Sequence, residues 1–333
     1  MPVAPDRVHL IAHANPAAKD IARLGLAGPA EYLAFIRQHT PAPLRITCNR
    51  RLLGAAEDQL HGGRRDDRAR IRDLQQALDD PRTRAIVALA GGAYFVRLLP
   101  HIDLRPLARR RRPILVTGFS EMTPLVGLVA SYACGVGVYW LCPNYLAWKI
   151  RPRRKALAAF GDFWRNLPAL IEQRPFESNY LPGGPITADI LAGKPTGGRL
   201  RIAGGCLSLL AAVATAPWAR RLVPKGHWLL IEDINEPAYR IDRLLATLKL
   251  AGWFEHCAGV LIGGFYHQRQ DLRSAVFELL RYHLPSRRIP IMTTTLVGHT
   301  WPIVPVPLNM SLPIEVSGRR AVIHTPWAAS RTV

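Results

Sequence analysis

The sequence predicts an α/β protein, with a parallel sheet in its first half and a mixed α/β region in its second. Short apolar or β-branched runs alternate with helical stretches through the first half, which is the pattern of strands joined by crossover helices. Residues 151–195 lose this alternation and contain the turn-forming sequences LPGGP and GKPTGG. We therefore expect an N-terminal domain over residues 1–150, a linker over 151–195 and a C-terminal domain over 196–333.

The individual elements follow from the same patterns. The first half contains the strand-like runs VHLIAHA, LRITC, AIVALAGG, PILVTGF and VGVYWL, and the predicted helices Pro29–Gln38, Asp66–Leu78 and an apolar helix after Ser120. The second half contains the runs RIAGGCLSLL, HWLLIEDI, AGVLIGGF, IPIMTTT, LPIEV and RAVIHT, and predicted helices over 238–251 and 271–282. Loops after the carboxyl ends of parallel strands share one edge of the sheet, where open α/β folds bind ligands. Gly91, Gly92 and Ser120 are therefore expected at one edge.

The net charge is strongly positive. The chain has 44 Lys and Arg residues against 24 Asp and Glu, a formal net charge of +20, which is compatible with nucleic acid or a membrane surface as a partner. Arginine is spread along the chain, however, and no aromatic-interleaved basic motif accompanies the densest clusters, Arg109–Arg112 and Arg151–Lys155. The pattern favours a solvated basic surface, and we expect neither a nucleic-acid nor a membrane partner.

The cysteines and the apolar segments indicate where in the cell the protein is located. Five separated cysteines without a CxxC pair predict reduced thiols, with neither a zinc site nor a disulfide framework. The N-terminal sequence has an early acidic residue and no long apolar run, so we expect no signal peptide and a cytoplasmic location. Residues 122–148 carry no charge, but Pro124, Gly127 and other turn formers interrupt them, which favours a buried helix and a buried strand over a membrane span.

Ser120 is the first candidate for chemistry. It stands in TGFSEMTP, between a predicted strand and a predicted helix, where a sharp turn exposes a side-chain oxygen and leaves backbone N–H groups free. Met122 occupies the position of the second glycine in a G-x-S-x-G elbow, so the ordinary α/β-hydrolase motif is absent. A serine before an acidic residue is also typical of a helix N-cap, and on this segment alone that alternative stays open.

A nucleophilic serine needs a histidine base and a carboxylate that orients the base. Of the 11 histidines, His299 is the strongest candidate because GHTWP forms a Gly- and Pro-flanked loop after an apolar run, and His227 and His256 are weaker. Glu232 and Asp233 both end the strand HWLLIEDI, and since successive side chains point to opposite faces, only one of them can face a site. Ordinary roles for these histidines and strand-end acids stay open.

Five segments carry a more specific signal in combination. They are LAGGAYFVRLLPHID, TGFSEMT, GGCLSLL, IEDINEPAYRIDRLLATL and VGHT, in this order. Together they resemble the LD-carboxypeptidase family, also called muramoyltetrapeptide carboxypeptidases, which includes the microcin C immunity peptidases. The resemblance implies a flavodoxin-like or Rossmann-like parallel sheet domain, followed by a mixed α/β domain of the swivelling β-barrel type.

The resemblance also implies a reaction and a catalytic triad. Ser120 is the implied nucleophile, His299 the general base and then acid, and Glu232 the residue that orients His299. The implied reaction is hydrolysis of the terminal D-alanine from the L-centre of a murein tetrapeptide in peptidoglycan recycling. The implied partners are this muropeptide and a second copy of the chain in a homodimer, and no metal or organic cofactor is implied.

The remaining implied site residues bind the substrate. Backbone N–H groups of Gly92 and Glu121 are expected to form the oxyanion hole, where each donor contributes ~2.7–4 kcal/mol. Gly91 and Asn144 are expected to contact the substrate.

Three positions depart from the family pattern. Ala90 stands where the family usually has Arg, Glu121 where it has Asp, and Cys206 where it tends to have Asn. Because a guanidinium is the natural partner of a carboxylate, Ala90 leaves the substrate open. The alternatives are an immunity-type peptidase that cleaves another acylated peptide or nucleotide conjugate, a catalytically silent muropeptide-binding protein, and a basic scaffold for anionic partners.

Overall fold

The structure, a computed structural model, describes residues 5–54 and 66–328. Within these residues, the strands of the first half are β1 (Arg7–Ile11), β2 (Arg45–Cys48), β3 (Thr83–Ala88), β4 (Ile114–Gly118) and β5 (Gly135–Tyr139). The strands of the second half are β6 (Ile186–Ala192), β7 (Gly198–Cys206), β8 (Trp228–Ile234), β9 (Gly259–His267), β10 (Gln270–Asp271), β11 (Ile291–Thr293), β12 (Val306–Pro307), β13 (Ser311–Ser317) and β14 (Arg320–Ile323).

The helices of the described residues lie between these strands. They are α1 (Ala18–Leu24), α2 (Pro29–His39), α3 (Arg50–Leu53), α4 (Asp67–Asp79), α5 (Thr123–Ala130), α6 (Leu146–Lys149), α7 (Arg153–Glu172), α8 (Leu207–Ala212), α9 (Ala238–Leu250) and α10 (Arg273–His283). Most of the helices and strands expected from periodicity are present, and their bounds differ from the expected ones by a few residues.

The five strands of the first half and β12 of the second half form a six-stranded sheet in the order β12-β5-β4-β3-β1-β2. Strands β1 to β5 are parallel and follow the flavodoxin-like order 2-1-3-4-5, and β12 adds to β5 as an antiparallel edge strand. The predicted parallel-sheet domain is thereby confirmed. Every residue of β4 is buried, as expected of a central strand covered by helices on both faces.

Two hydrophobic clusters cover the two faces of this sheet. Apolar residues of α1, α2 and α7 pack on one face, and those of α4 and α5 pack on the other. The second cluster continues into the C-terminal region, because it joins Ile86 and Val116 of the sheet to Ile202 and Leu261. Sheet and C-terminal region are therefore packed against each other through a shared core.

The C-terminal strands close into a barrel. The ring runs β8, β9, β11, β6, β14, β13, β7 and returns to β8, and β10 pairs with β9 outside it. Helices α8, α9 and α10 cover the outside of β8 and β9 with their apolar faces. This closed seven-stranded barrel confirms the predicted mixed α/β fold with a β-barrel.

Residues 151–195 contain more regular structure than a linker would. Helix α7 is 20 residues long, and β6 is a strand of the barrel. The apolar spacing of α7 is helical, but the basic residues at its start and Pro168 within it obscure this pattern. The buried positions that follow this spacing are Ala156, Ala159, Phe160, Phe163, Trp164 and Leu167. The domain boundaries at residues 150 and 196 stay a prediction.

Most of the uncharged run 122–148 is buried in the protein, and Ala133 and Trp148 are its exposed residues. All eight residues of α5 and most of β5 are buried, as the sequence predicts. Within residues 5–54 and 66–328, no helix combines the length and apolar character needed to cross a membrane.

Candidate active site

Ser120 lies on a sharp turn at the carboxyl end of β4. It begins a short 3₁₀ turn, Ser120–Met122, that leads directly into α5. Its φ of 58° lies in the left-handed region, which residues other than glycine rarely adopt. Strained strand-to-helix turns of this kind expose a serine hydroxyl in nucleophile elbows. Met122 is the N-cap residue of α5, and no side-chain hydrogen bond caps that helix, so Ser120 is not its cap.

Neighbouring side chains hold this turn against the barrel. The Thr123 hydroxyl donates to the carbonyl oxygen of Ser120 at 2.6 Å and accepts from the N–H of Cys206 in β7 at 3.1 Å. On the opposite side, a Cβ atom at Gly91 would lie 3.1 Å from the Cβ of Ser120. The glycine at position 91 therefore keeps the space beside Ser120 open.

Glu232 and His299 form a hydrogen-bonded pair. The Glu232 carboxylate is fully buried, and its Oε2 lies 2.8 Å from His299 Nδ1 and accepts the His299 backbone N–H at 3.1 Å. An imidazole that donates Nδ1–H to a carboxylate keeps Nε2 free to accept a proton. The register between β8 and β9 shifts at Glu232, opposite Gly263 and Gly264, and such irregularities re-aim side chains.

The loop that carries His299 runs from the barrel to the sheet, between β11 and β12. Gly298 in this loop has a φ of +100°, and a Cβ atom there would lie 2.5 Å from Glu232 Oε2. The loop can approach the carboxylate this closely only because residue 298 is glycine.

Tyr139 links this pair to the turn that carries Ser120. Its buried hydroxyl donates to Glu232 Oε1 at 2.5 Å and accepts the backbone N–H of Ser120 at 3.3 Å. Burial, together with the neighbouring Glu232 charge, raises the pKa of Tyr139 well above its usual value, so the hydroxyl stays protonated and can donate. Tyr139 carries no signal of this role in the sequence, because a tyrosine at the end of a buried strand is ordinary core composition.

Ser120 and His299 line one pocket of about 440 Å³. Gly91, Gly92 and Asn144 also line it, so the structure brings these predicted residues to one place. The pocket lies beyond the carboxyl ends of the parallel strands, near β1 and β3, between which the strand order reverses; this is the usual ligand site of such sheets. In the described part of the chain, no hydrogen bond joins the Ser120 hydroxyl to His299; such bonds often tighten only when substrate binds.

Comparison with protein families identifies the family of the chain. A model of the LD-carboxypeptidase N-terminal domain matches residues 8–139, and a model of the C-terminal domain matches residues 199–314. The two ranges together cover more than half of the chain. The protein belongs to the LD-carboxypeptidase family.

Individual relatives are more distant. A Bacillus subtilis protein named "Probable murein peptide carboxypeptidase" is 26% identical over 285 residues, which are 82% of each chain. The crystal structure of muramoyltetrapeptide carboxypeptidase from Oxalobacter formigenes superposes with a TM-score of 0.65, at 20% identity over 97% of this chain and 100% of that one. The microcin C7 self-immunity protein MccF, in complex with aspartyl sulfamoyl adenosine, gives a TM-score of 0.67 at 17% identity over 98% of each chain. Both structures share the fold with this LD-carboxypeptidase family member.

The two residues expected to form the oxyanion hole differ in their surroundings. A Cβ atom at Gly92 would lie 2.6 Å from the carbonyl oxygen of Ala14, and φ there is +144°, so position 92 requires glycine. The Glu121 side chain accepts the N–H groups of Phe95 and Val96 at 2.8 and 3.1 Å, and burial raises its pKa. This acid after the nucleophile therefore binds the chain that follows the glycine pair.

Asn144 is held by protein partners. Its Oδ1 accepts from the Tyr32 hydroxyl at 2.5 Å, and its Nδ2 donates to Asp20 at 3.1 Å. A side chain engaged at both ends forms a rigid part of the pocket wall, which is a narrower role than the expected substrate contact. That contact stays a prediction.

The competing acid and histidines contact other partners. Asp233 accepts the N–H of Ser208 at 2.8 Å, and burial together with the Glu232 charge raises its pKa to about 6. His227 lies 2.6 Å from Asn309 Oδ1, and His256 is exposed. Geometry therefore pairs Glu232 with His299.

Among the described residues, no cluster of three or more His, Cys, Asp or Glu side chains could hold a metal ion.

The pKa of His299 reflects two opposed effects. Burial lowers it, but the charge of Glu232 and the hydrogen bond to it act in the other direction, and the net pKa lies above the usual value of 6.5. A histidine poised in this way holds a proton more firmly than a free imidazole and is a better general base.

Proposed function

We propose that this protein is a serine-type LD-carboxypeptidase that removes the terminal D-alanine from the L-centre of a murein tetrapeptide. We place this reaction in the cytoplasm, in peptidoglycan recycling. The observation that carries the proposal is the buried Glu232–His299 pair, whose His299 lines the same pocket as Ser120, in a chain of the LD-carboxypeptidase family. A homodimer, which light scattering can test, is part of the proposal.

The proposed chemistry uses only groups of this chain. Ser120 Oγ attacks the carbonyl carbon of the scissile amide while His299 Nε2 takes its proton, and Glu232 stabilises the imidazolium that forms. The N–H groups of Gly92 and Glu121 donate to the oxyanion of the tetrahedral intermediate. His299 then protonates the leaving amine, D-alanine departs, and a water activated by His299 hydrolyses the acyl-enzyme at Ser120.

The size and position of the pocket support a small peptide as the substrate. Its volume of about 440 Å³ lies in the range of small-molecule sites. Phe119 and Tyr145 provide apolar walls beside the ring of His299, with ring centroids 4.8 and 6.5 Å from it. An apolar wall suits the methyl group of alanine.

The test is release of D-alanine from a purified murein tetrapeptide, followed by mass spectrometry. Wild type should release it, and Ser120→Ala should lose the activity by at least a thousandfold, because the nucleophile is gone. Ser131→Ala is the matched control, since that hydroxyl bonds to the carbonyl oxygen of Leu128 at the end of α5. Equal rates for wild type and Ser120→Ala would refute Ser120 as nucleophile.

A second function is favoured by one observation. Ala90 lines the pocket at the position where the family usually has Arg, which changes the charge next to the glycine pair. An immunity-type peptidase acting on another acylated peptide or nucleotide conjugate fits that change. Hydrolysis of an aminoacyl sulfamoyl nucleotide, without release of D-alanine from the tetrapeptide, would select this function.

A further inference from the structure

Lys149 is the one lysine or arginine among the described residues that line the pocket. It is the last residue of α6, which follows the carboxyl end of β5, so it reaches the pocket from the same sheet edge as Ser120. Asp20 is the one acidic residue among the described residues that line the pocket. Neither the family motifs nor the charge pattern of the sequence singled out Lys149.

The ammonium group of Lys149 has no acidic partner within residues 5–54 and 66–328. Its polar contact there is the His299 carbonyl oxygen, at a long 3.4 Å, and it lies 5.0 Å from the centre of the Tyr145 ring. An ammonium group has three donors, and only one of them has a partner among the described protein groups. The Asp20 carboxylate is already engaged, accepting from Trp148 Nε1 at 2.7 Å and from Asn144 Nδ2 at 3.1 Å.

The surroundings of Lys149 favour an anion as its partner. The side chain is half-buried, and this burial lowers the pKa of the ammonium group. A partly desolvated charge is unfavourable unless an opposite charge approaches it, and no acid of the described residues forms an ion pair with Lys149. A ligand carboxylate that enters the pocket would supply that charge.

The position of Lys149 beside His299 matches the leaving group of the proposed reaction. His299 delivers its proton to the amine of the leaving amino acid, and in an amino acid the carboxylate is one carbon away from that amine. Lys149 lines the same pocket as His299 and contacts its main chain, so its ammonium group can meet that carboxylate when the amine faces the imidazole.

We propose that the ammonium group of Lys149 binds the free C-terminal carboxylate of the substrate, and so restricts the enzyme to the terminal residue. This inference rests on the proposed function and names its specificity residue. Ala90, where the family usually has Arg, provides no charge on the neighbouring wall, so Lys149 carries the recognition alone in this pocket.

The kinetic test compares a tetrapeptide that ends in D-alanine with the same peptide ending in D-alaninamide. Lys149→Met should lower kcat/KM for the free acid about 10- to 100-fold, the effect of losing a charge-assisted hydrogen bond, and leave the amide unchanged. Lys149→Arg should restore part of the activity on the free acid. Lys155→Met is the control, because it removes an exposed charge at the start of α7 and should change kcat/KM for neither substrate.

Equal losses on both substrates would overturn the inference, because they would mean that Lys149 acts through the His299 loop. No loss on either would overturn it as well. Calorimetric binding of both peptides to Ser120→Ala and to Ser120→Ala/Lys149→Met separates this inference from the proposed function, since binding needs no turnover. If Ser120→Ala binds the free acid more tightly than the amide and Lys149→Met abolishes this preference, the inference is supported. Failure of wild type to release D-alanine would refute only the proposed function.

Discussion

Ser120 and His299 line the same pocket, but the nucleophile turn and the Glu232–His299 pair are held in place differently. Ser120 is positioned by backbone conformation, with a φ of 58° at the end of a buried strand. Glu232 and His299 are positioned by side-chain hydrogen bonds inside the protein. Removal of the Ser120 side chain should therefore leave the fold intact. Substitutions of Glu232 or His299 should change the geometry, charge and stability of the site together.

The two regions are also connected. Tyr139 bridges Glu232 to the Ser120 N–H, and Thr123 bridges the Ser120 carbonyl to Cys206 of the barrel. The sheet thus supplies the nucleophile and the barrel supplies the acid–base pair, and a few buried hydrogen bonds set the distance between them.

The largest expected effect is that of Glu232→Gln. Loss of the carboxylate removes the group that fixes the His299 tautomer, and kcat should fall on the order of 10⁴-fold. Asp233→Asn is the neighbouring control, because Asp233 bonds to Ser208 in α8 and should lose little activity. If both variants were equally impaired, the assignment of Glu232 as the partner of His299 would be wrong. D-alanine release measures both.

Gly298→Ala should cost about 100-fold in kcat/KM. An added Cβ would lie 2.5 Å from Glu232 Oε2 at a φ of +100°, so the loop must move, and a shift of about 1 Å can cost that much. Gly318→Ala is a matched control: its φ of +56° is also left-handed, but no atom lies within 4 Å of the added carbon. Wild-type activity in Gly298→Ala would show that the loop does not need this close approach.

Tyr139→Phe should lower kcat about tenfold and destabilise the protein by about 1–3 kcal/mol, because the buried Glu232 carboxylate loses a donor. Denaturant unfolding measures the second effect. Tyr132→Phe removes a hydroxyl that accepts from Arg221 near the surface, and it should change neither quantity. A stable Tyr139→Phe variant with full activity would show that the Tyr139 hydroxyl is not needed to couple Glu232 to the Ser120 turn.

The smallest effect is a shift in pH dependence. Because the net pKa of His299 is raised, kcat/KM should fall as pH drops through a value above 6.5, where the base becomes protonated. In Glu232→Gln, the charge that raises this pKa is gone, so the residual activity should persist to lower pH. An acidic limb that does not move in this variant would argue against electrostatic coupling of the two residues.

Local sequence patterns were sufficient for much of the fold and for part of the site. Alternation and helical spacing predict the parallel sheet, and the strand-to-helix turn predicts the exposed position of Ser120, because these depend on neighbours along the chain. Helix α7 was missed, since its basic start and internal proline resemble a linker. The pairing of strands into a closed barrel came from the family resemblance, not from periodicity.

Long-range packing settled the remaining questions. Sequence could not choose between Glu232 and Asp233, because the choice depends on which face of β8 meets the His299 loop, and the register shift opposite Gly263 decides it. Tyr139 and Lys149 carry no local signal, and they matter because distant segments meet them. Turns and periodicity are properties of short segments, whereas a shared pocket depends on how sheet and barrel pack together.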